Sequence, residues 1–468
     1  MRLRSKCFAR LIGTIGATLA VSLFAAGAAT AAPLVINLGH TSKQVPNEAY
    51  CEANFGIACY QPYQIQQAYD MNPLYRAGLT GRGKTIVLVD SYGSPTIQSD
   101  LATFDKTFGL PAPPSFRIIT PAGTPPPYDQ TNFDMGGWSF ETTLDVEYAH
   151  AMAPGANILE VETPVDETIG VQGFPQMIEA ENYVIDHHLG DVISQSFAAA
   201  EQTFPNAGSI YGLRSAYFNA LVHHVTVLGA TGDLGASSQS EYDTSDGKAN
   251  YFTSPVINWP AGDPLVTAVG GTQLQLDTNG NRTAPDSVWN DTAAFDSPLA
   301  GGGGVSSVFS RPFYEDGVAG VVGRARGIPD VAMSAACTGS VVIYDSVVNT
   351  TYGLTGPNYY TVCGTSEASP LFAGVVAVAD QAAHRDLGWL GPILYRLGGG
   401  PRSGIVDVTT GNNSVSGTQQ LPPLTGDPFS VTGYNAAAGY DLASGLGTVD
   451  GARLVGALTS YRSFSRHH

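Results

Sequence analysis

The chain has 468 residues, enough for one large α/β domain or for two to three domains of average size. Hydrophobic residues make up 43% of it, which suffices for a large core. Charged residues make up only 13%, and the net charge of −18 argues against nucleic acids and anionic membrane surfaces as partners.

Residues 1–31 have the pattern of a secretory signal peptide. An apolar run from Leu11 to Ala26 precedes Ala29-Thr30-Ala31, a small-x-small cleavage site. The basic residues before this run are Arg2, Arg4, Lys6 and Arg10. Cleavage would remove these four positive charges and change the net charge from −18 to −22. We therefore expect a secreted, extracellular protein that makes no membrane contact after cleavage.

Short apolar strands alternate with helical patterns after residue 80. The strands are predicted at Thr85–Val89, Asn157–Val161, Val192–Ser196, Val225–Ala230 and Leu265–Val269. The helices are predicted at Trp138–Ala151, Gln176–His187, Tyr211–His224 and Ser369–His384. This alternation predicts a parallel sheet covered on both faces, with the active site beyond the carboxyl ends of its strands. Asp90, Ser196 and Asp233 each lie at or just after such an end.

The helix predicted at Trp138–Ala151 carries two acids, Glu141 and Asp145, four residues apart. This spacing places both carboxylates on one helix face, one turn apart. Charges that close disfavour double ionisation, so the pair is expected to share a proton. By itself, however, the same spacing also occurs on solvated acidic helix faces.

A serine motif, Gly364-Thr365-Ser366, precedes the last predicted helix, with Pro370 four residues after the serine. Unpaired N–H groups and the helix dipole favour developing negative charge at such a position. The serine needs a base, and no histidine motif supplies one, which leaves a carboxylate. Asp233, in Gly232-Asp233-Leu234-Gly235, follows a predicted strand and alone would be an ordinary turn residue.

Four cysteines remain after cleavage of the signal, and an even number in a secreted chain suggests two disulfides. Sequence alone allows three pairings. We expect Cys51 with Cys59, closing a short loop, and Cys337 with Cys363, closing a longer one that leads into Ser366. No spacing of cysteine and histidine indicates a zinc site.

Together and in this order, these groups resemble the sedolisin family of serine-carboxyl peptidases, which are close in fold to subtilisins. The resemblance extends from about Tyr60 over most of the chain. The blocks that carry it include Tyr60-Gln61-Pro62, Gly81-Arg82-Gly83-Lys84, Ala153-Pro154-Gly155-Ala156, Trp259-Pro260-Ala261, Val269-Gly270-Gly271-Thr272, Val288-Trp289-Asn290-Asp291, Gly302-Gly303-Gly304-Val305-Ser306 and Arg326-Gly327-Ile328-Pro329-Asp330-Val331.

The resemblance implies a subtilisin-like three-layer α/β fold with a mostly parallel central sheet and helices on both faces. It makes Ser366 the nucleophile and Glu141 the general base. Asp145 is then the partner of Glu141, and Asp233 is the oxyanion donor. The enzyme is expected to be a monomer that acts on protein or peptide substrates. It also places the catalytic domain at residues 60–468, after a short segment 32–59.

Near pH 4 a histidine would be protonated, whereas a glutamate is still partly ionised and a protonated aspartate can donate a hydrogen bond. Activity in acid is therefore expected.

One structural Ca²⁺ is implied near the C-terminus. By the resemblance, two aspartates give side chains and three residues give carbonyl oxygens, namely Asp407 and Asp441, and Val408, Ala437 and Gly439. Such a set of hard oxygens suits calcium. Ala437 stands where a glycine is usual, so its backbone has to stay out of positive φ.

Apart from Ala437, the chain departs from the family at three points. Asp90 stands where a glutamate is usual behind the catalytic acids, and Phe197 stands where a tryptophan is common. These changes bear on efficiency and on the pH optimum. Between Ala31 and Tyr60 lie 28 residues, too few for the large propeptide of the family. We expect either that the enzyme folds without one or that the segment with Cys51 and Cys59 has another role.

Two alternatives follow from these observations. The departures suggest a catalytically impaired binding homologue. A neutral subtilisin-type peptidase would need a histidine, and His150 is the nearest to the acids; it lies about 180° around the helix from Glu141 and about 140° from Asp145, so it is expected to face away. No His-Gly-Thr-His type segment and no oxyanion asparagine is found, although Thr85–Asp90 resembles a subtilisin aspartate strand.

Overall fold

The structure is a computed structural model. It describes residues 35–39, 45–167, 169–243, 248–400, 402–418, 420–421, 424–425 and 427–460. The predicted signal peptide, residues 1–31, lies outside the described residues. None of the helices within these ranges is both long and apolar enough to cross a membrane.

The helices of the described ranges follow one another along most of the chain. They are α1 (Glu48–Phe55), α2 (Pro62–Ala68), α3 (Asn72–Arg76), α4 (Ile97–Phe108), α5 (Phe133–Met152), α6 (Phe174–Asp186), α7 (Ala207–Gly212), α8 (Ser215–His223), α9 (Thr292–Phe295), α10 (Ala319–Val322), α11 (Thr365–Ala383), α12 (Gly391–Leu397) and α13 (Gly451–Ser460).

The strands alternate with these helices up to α8 and are mostly short after it. They are β1 (Ile36–Gly39), β2 (Ala58–Tyr60), β3 (Thr85–Ser91), β4 (Phe116–Ile119), β5 (Asn157–Thr163), β6 (Val192–Gln195), β7 (Ala199–Ala200), β8 (Thr226–Ala230), β9 (Gln239–Asp243), β10 (Lys248–Tyr251), β11 (Asn258–Trp259), β12 (Thr267–Gln273), β13 (Ser287–Val288), β14 (Gly304–Ser310), β15 (Ala325–Ile328), β16 (Val331–Ser334), β17 (Gly339–Asp345), β18 (Val348–Asn349), β19 (Leu354–Thr355), β20 (Asn358–Val362), β21 (Ile405–Val406), β22 (Val415–Gly417), β23 (Gln420–Leu421), β24 (Leu424–Thr425), β25 (Phe429–Val431) and β26 (Thr448–Val449).

The central sheet has the strand order β4-β5-β3-β6-β8-β12. All neighbours along this path are parallel, and β16 also pairs with β12 in parallel. The short β13 pairs with the end of β12 and is antiparallel. The predicted parallel sheet is therefore confirmed, and the carboxyl ends of its strands meet at one edge.

Helices cover both faces of this sheet. In β3, Ile86 and Leu88 pack into a core shared with α5 and α11, whereas Val87 and Val89 pack into a second core with α6 and α8. Alternate residues of a strand point to opposite faces, so a strand covered on both sides has to be apolar at every position. The predicted three-layer fold is confirmed.

Two predicted helices differ in extent from the observed ones. Helix α11 begins at Thr365, four residues before the predicted start, and contains Pro370. Because proline has no N–H, it cannot bond the carbonyl of Ser366, yet the helix continues through it. The helix predicted at Tyr211–His224 is divided into α7 and α8 by a break at Leu213 and Arg214.

Both predicted disulfides are confirmed. Cys51 in α1 is bonded to Cys59 in β2, and Cys337, just before β17, is bonded to Cys363, just before α11. Strands β1 and β2 join the sheet order β1-β20-β17-β2, so the segment stapled by the first disulfide pairs with strands from the second half of the chain.

Candidate active site

Helix α5 carries the two predicted acids. It is buried on all sides from Met135 to Met152, because it lies between the central sheet and α11, α4 and β17. Glu141 is 3% exposed and Asp145 is 0% exposed. The spacing of four residues thus places both carboxyls on one face of a helix that water does not reach.

Asp145 is held by a serine from the neighbouring sheet. The hydroxyl of Ser196, the residue directly after β6, donates to Asp145 Oδ1 at 3.0 Å. Burial raises the pKa of Glu141 well above its usual value, and the same hydroxyl opposes part of that rise. Ser196 therefore lies between the two acids at the carboxyl end of the sheet, where the alternation of strands and helices predicts the site.

Asp233 lies beyond the end of β8 and faces the start of α11. Its Oδ1 accepts hydrogen bonds from the backbone N–H of Thr365 at 2.7 Å and from the Thr365 hydroxyl at 2.9 Å. Its Oδ2 has no hydrogen-bond partner among the described residues. A Cβ at Gly364, where φ is +132°, would lie 2.6 Å from Oδ2. Glycine at 364 therefore keeps that oxygen accessible.

Ser366 lies in the first turn of α11 and is 0% exposed. Within the described ranges neither its hydroxyl nor the carboxyl oxygens of Glu141 make a hydrogen bond. The hydroxyl nevertheless lies close enough to oppose the rise that burial causes in the pKa of Glu141. Ser366 and Glu141 thus lie near each other without a formed hydrogen bond.

Burial dominates the electrostatics of these acids. It raises the pKa values of Glu141 and Asp145 well above their usual range, and Asp90 adds to both shifts through its negative charge. Burial raises the pKa of Asp233 to about 7, against the two hydrogen bonds from Thr365. No ion pair of the described residues includes any of these carboxyls. In acid, Asp233 is therefore protonated.

The two departures from the family pattern lie behind these acids. Asp90 is 0% exposed at the end of β3, and burial raises its pKa to about 7. Phe197 is also buried, with its ring in a T-shaped contact with Phe174 at 6.0 Å between centroids. The ring of Phe197 has no N–H group and cannot donate a hydrogen bond to these carboxyls. Side-chain hydrogen bonds to these acids therefore have to come from hydroxyl groups or from other carboxyls.

His150 faces away from the site, as the helix geometry predicts. It is buried on α5 with Nε2 at 3.2 Å from Asp105 Oδ1 and 2.8 Å from the carbonyl oxygen of Pro111. Asp105 belongs to α4, which packs against α5. A triad of Asp145, His150 and Ser366 is excluded by this placement.

Sequence reasoning missed two contributors to the site. Thr365 gives Asp233 both of its hydrogen bonds, and Glu160 brings a further buried carboxyl next to Asp90. A signal for Glu160 existed, because a charged residue in the middle of the apolar strand Asn157–Val161 is unusual in a sheet covered on both faces.

The predicted calcium residues come together in two adjacent loops. The N–H of Ala437 donates to Asp441 Oδ2, and the N–H of Gly439 donates to Asp407 Oδ2, both at 2.9 Å. Ala437 is not among the residues with positive φ, whereas Gly439 has φ +84°. No cluster of three or more His, Cys, Asp or Glu is found in the described ranges, so a cation here would depend on carbonyl oxygens such as that of Val408. Carboxylates and carbonyl oxygens are the kinds of ligand that a hard cation prefers.

Comparisons with known proteins agree with this geometry. A profile of the subtilase family matches residues 135–390. Kumamolisin of Bacillus sp. (strain MN-32) is 31% identical over 409 residues, covering 85% of this chain and 63% of kumamolisin. Sedolisin of Pseudomonas sp. (strain 101) is 26% identical over 402 residues, covering 86% of this chain and 61% of sedolisin. The chain thus spans about three fifths of the length of these relatives.

A solved structure is similar over most of the chain. It is Pseudomonas sedolisin, a serine-carboxyl proteinase, in complex with two molecules of pseudo-iodotyrostatin. It superposes with a TM-score of 0.66 at 25% identity, covering 86% of this chain and 99% of that one.

Proposed function

The chain belongs to the subtilase family as a sedolisin-like member, and from this premise we propose that it is an acid-active serine peptidase. Its substrates would be proteins or peptides. The observation that carries the proposal is the position of Ser366, at the first turn of α11 and next to the buried carboxyl of Glu141.

In the proposed reaction, Ser366 Oγ attacks the scissile carbonyl carbon while Glu141 accepts the hydroxyl proton. The new oxyanion receives hydrogen bonds from protonated Asp233 Oδ2 and from the free N–H of Ser366 in the first helical turn. When the C–N bond breaks, Glu141 returns the proton to the leaving amine, and an acyl-enzyme on Ser366 remains. Water then attacks the ester by the same steps in reverse, with Glu141 again as base.

The expected pH dependence of activity follows from two acids that have to be in opposite protonation states. Glu141 has to be ionised to take the proton, whereas Asp233 has to be protonated to donate. As the pH rises through about 7, Asp233 loses its proton and with it the ability to donate to the oxyanion. Activity should therefore fall toward neutral and alkaline pH, and it should also fall at lower pH as Glu141, whose pKa burial raises, becomes protonated.

The test is hydrolysis of a mixed peptide library by the wild type, by Ser366→Ala and by Ser369→Ala. Ser369 lies one turn further along α11 and bonds Ser194, so it is a matched control. We expect activity below about pH 5 for the wild type and the control, and a loss on the order of 10⁶-fold for Ser366→Ala. A pH optimum of hydrolysis near neutrality would contradict the proposal that a carboxylate is the base. No cleavage by folded protein at any pH would favour the impaired binding homologue.

We also propose that the C-terminal loops hold one structural Ca²⁺. The side chains of Asp407 and Asp441 and the carbonyls of Val408, Ala437 and Gly439 would hold it, and the ion would tie the two loops together. Chelation with EGTA should lower the melting temperature of the wild type but not of Asp441→Ala. Asp296→Asn, at an exposed left-handed position, is the control and should respond like the wild type. An equal melting temperature with and without EGTA in the wild type would contradict the proposal.

Finally, we propose that residues 1–31 direct secretion and that residues 60–468 act as a monomeric catalytic unit after the short segment 32–59. The disulfides are compatible with an oxidising compartment. Intact mass and N-terminal sequencing of the exported protein should give a chain beginning after Ala31. Retention of the full chain inside the cell would contradict the proposal, and light scattering checks the oligomeric state.

A further inference from the structure

We propose that Trp138 is a substrate-binding residue of this site, whose indole N–H donates a hydrogen bond to a backbone carbonyl of the bound peptide. The bonded carbonyl is one other than that of the scissile bond. The inference rests on the proposed function, because the ligand is the peptide that Ser366 would attack. Peptide binding can nevertheless be measured without cleavage, so the two can fail separately.

Trp138 differs from the other tryptophans of the chain in its N–H group. The chain has four tryptophans, and in three of them Nε1–H donates to a protein oxygen at 2.8 to 3.4 Å; these are Trp259, Trp289 and Trp389. Nε1 of Trp138 is buried and has no hydrogen-bond partner among the described residues. A buried donor without an acceptor destabilises the folded protein, so such groups are rare and need an explanation.

Trp138 lies on the helix face of the two acids. It precedes Glu141 by three residues and Asp145 by seven, and this spacing places all three side chains on one face of α5. Helix α5 connects the parallel neighbours β4 and β5 and therefore runs opposite to them. Its first turns thus lie at the carboxyl edge of the sheet, with Trp138 one helical turn from the proposed base.

The packing of the indole shows that it reaches across this edge. Phe140 of α5 belongs to the core that the sheet shares with α11, whereas Trp138 belongs to the core on the other face, together with Phe174 and Phe197. A side chain of α5 can join that second core only beyond the strand ends. Phe197 directly follows Ser196, the residue that lies between the two acids. The indole therefore lies where the site is.

The burial of Trp138 matches that of the whole site. Trp138 is 4% exposed, Glu141 is 3% exposed and Ser366 is 0% exposed. A peptide that reaches Ser366 has to enter a space that is closed to water in the free protein, and the indole borders the same space. The side chains of Ile169 and Val171 pack against the core of the indole and are half-buried, so this core extends to the surface.

A peptide backbone supplies the acceptor that this N–H lacks. An indole N–H can only donate, and every residue of a peptide carries a carbonyl oxygen. Three residues of helix correspond to about 4.5 Å along the axis between Trp138 and Glu141. An extended peptide advances about 3.3 Å per residue. The bonded carbonyl therefore belongs to a residue within about two positions of the scissile bond.

The experiment is a double-mutant cycle between Trp138→Phe and the ligand. The background is the inert Ser366→Ala, and the probe is a hexapeptide that this variant retains from the mixed library at about pH 4. The peptide bonds of the probe are replaced one at a time by a trans-alkene, which removes one carbonyl. We expect Trp138→Phe to raise Kd about three- to tenfold. One alkene should raise Kd by a similar factor when Trp138 is present and leave it unchanged in Trp138→Phe.

The control is Trp389→Phe, which removes an indole N–H that is bonded to Pro264 and should leave Kd within about twofold. An unchanged Kd in Trp138→Phe, additive losses at every position of the probe, or no peptide retained by Ser366→Ala would overturn the inference. If the coupling is found in a protein that cleaves nothing, Trp138 binds peptides and the proposed peptidase function fails. If the wild type cleaves peptides and the coupling is absent, only the inference fails.

A second measurement needs no ligand. Trp138→Phe and Trp289→Phe remove the same atoms from two buried indoles, but only Trp289 has a bonded N–H, at 2.8 Å from Asp291 Oδ2. Trp138→Phe should therefore lower the melting temperature less, because no hydrogen bond is lost and an unpaired donor is removed. An equal or larger loss, or failure of Trp138→Phe to fold, would show that this N–H stabilises the free protein and would overturn the inference.

Discussion

Two buried groups of carboxyls in this protein are stabilised in opposite ways. One surrounds Arg326, where Glu315 and Asp330 are buried together with a cation. The other consists of Glu141, Asp145 and their neighbours, and there the described residues supply no cation. The first group is balanced by a cation and serves the fold. The second can gain and lose protons, which is what acid–base chemistry requires.

The cationic group is saturated with donors. Arg326 donates to Asp330 Oδ1 at 2.7 Å and to Oδ2 at 2.6 Å, and it also pairs with Glu315. Asp330 accepts further hydrogen bonds from the Tyr395 hydroxyl at 2.9 Å and from the N–H of Ala268 at 2.8 Å. Arg326 lowers the pKa of Glu315, although burial still leaves it at about 7. Such a network holds β15, β16 and α12 in place.

The group around Glu141 and Asp145 has few hydrogen-bond donors. Asp145 Oδ1 receives the Ser196 hydroxyl, while its Oδ2 and both oxygens of Glu141 lack hydrogen-bond partners in the part of the chain that the structure describes. Unsatisfied buried carboxyls destabilise the fold whenever they are ionised. These carboxyls therefore lower the stability of the fold when they are ionised, but their protonation state can change.

The largest expected effect is a loss of stability as the pH rises. Burial raises the folded-state pKa of Asp90 and Asp233 from 3.8 to about 7. Each therefore contributes stability that is fully present below about pH 4 and is lost as the pH rises through about 7, at about 1.4 kcal/mol per pKa unit. Urea unfolding between these pH values should show lower stability at the higher one. Higher stability at neutral pH than at acid pH would contradict the claim that these acids are buried without a cation.

Replacing the cation of the other group should lower the stability by about 3–5 kcal/mol at neutral pH, because Arg326→Met leaves two carboxyls buried without a cation. The cost should shrink in acid, where Glu315 can take up a proton. The loss of stability at each pH is measured from the unfolding midpoints of the variant and the wild type at about pH 4 and about pH 7. An equal loss at both pH values would mean that the charges are not coupled to the arginine.

Asp233→Asn should flatten the pH dependence of stability by up to about 4 kcal/mol, since the amide keeps the shape of the neutral acid and does not titrate. Its NH₂ can still donate where protonated Oδ2 would. The alkaline limb of peptidase activity should therefore move to higher pH. The measurement is a pair of pH profiles, one of unfolding and one of kcat. A variant with an unchanged alkaline limb would remove Asp233 from the oxyanion site.

The smallest effect is expected at the surface. Arg311 pairs with Asp316 at 3.1 Å, but their side chains are 26% and 67% exposed. Arg311→Met should change stability by less than about 1 kcal/mol, with little dependence on pH. The same unfolding series as for Arg326→Met measures it. A loss comparable to that of Arg326→Met would show that burial is not what separates the two pairs.

Much of the site could be predicted because its signals are local. The spacing of Glu141 and Asp145 places them on one helix face in any helix. The Gly-Thr-Ser turn before a helical pattern locates Ser366, and the alternation of apolar runs predicts the parallel sheet. The two disulfides were also predicted correctly, from the loops that they close.

Tertiary structure alone decided the remaining features. Glu160 and Asp90 are 70 positions apart along the chain, and only the register of β3 and β5 makes them neighbours. Thr365 bonds Asp233 because α11 begins four residues earlier than its apolar pattern suggests. The pKa shifts depend on complete burial, which is the joint effect of the sheet and several helices. The sequence by itself therefore determined which acids and which serine are present, whereas the packing around them decided which of these acids hold a proton.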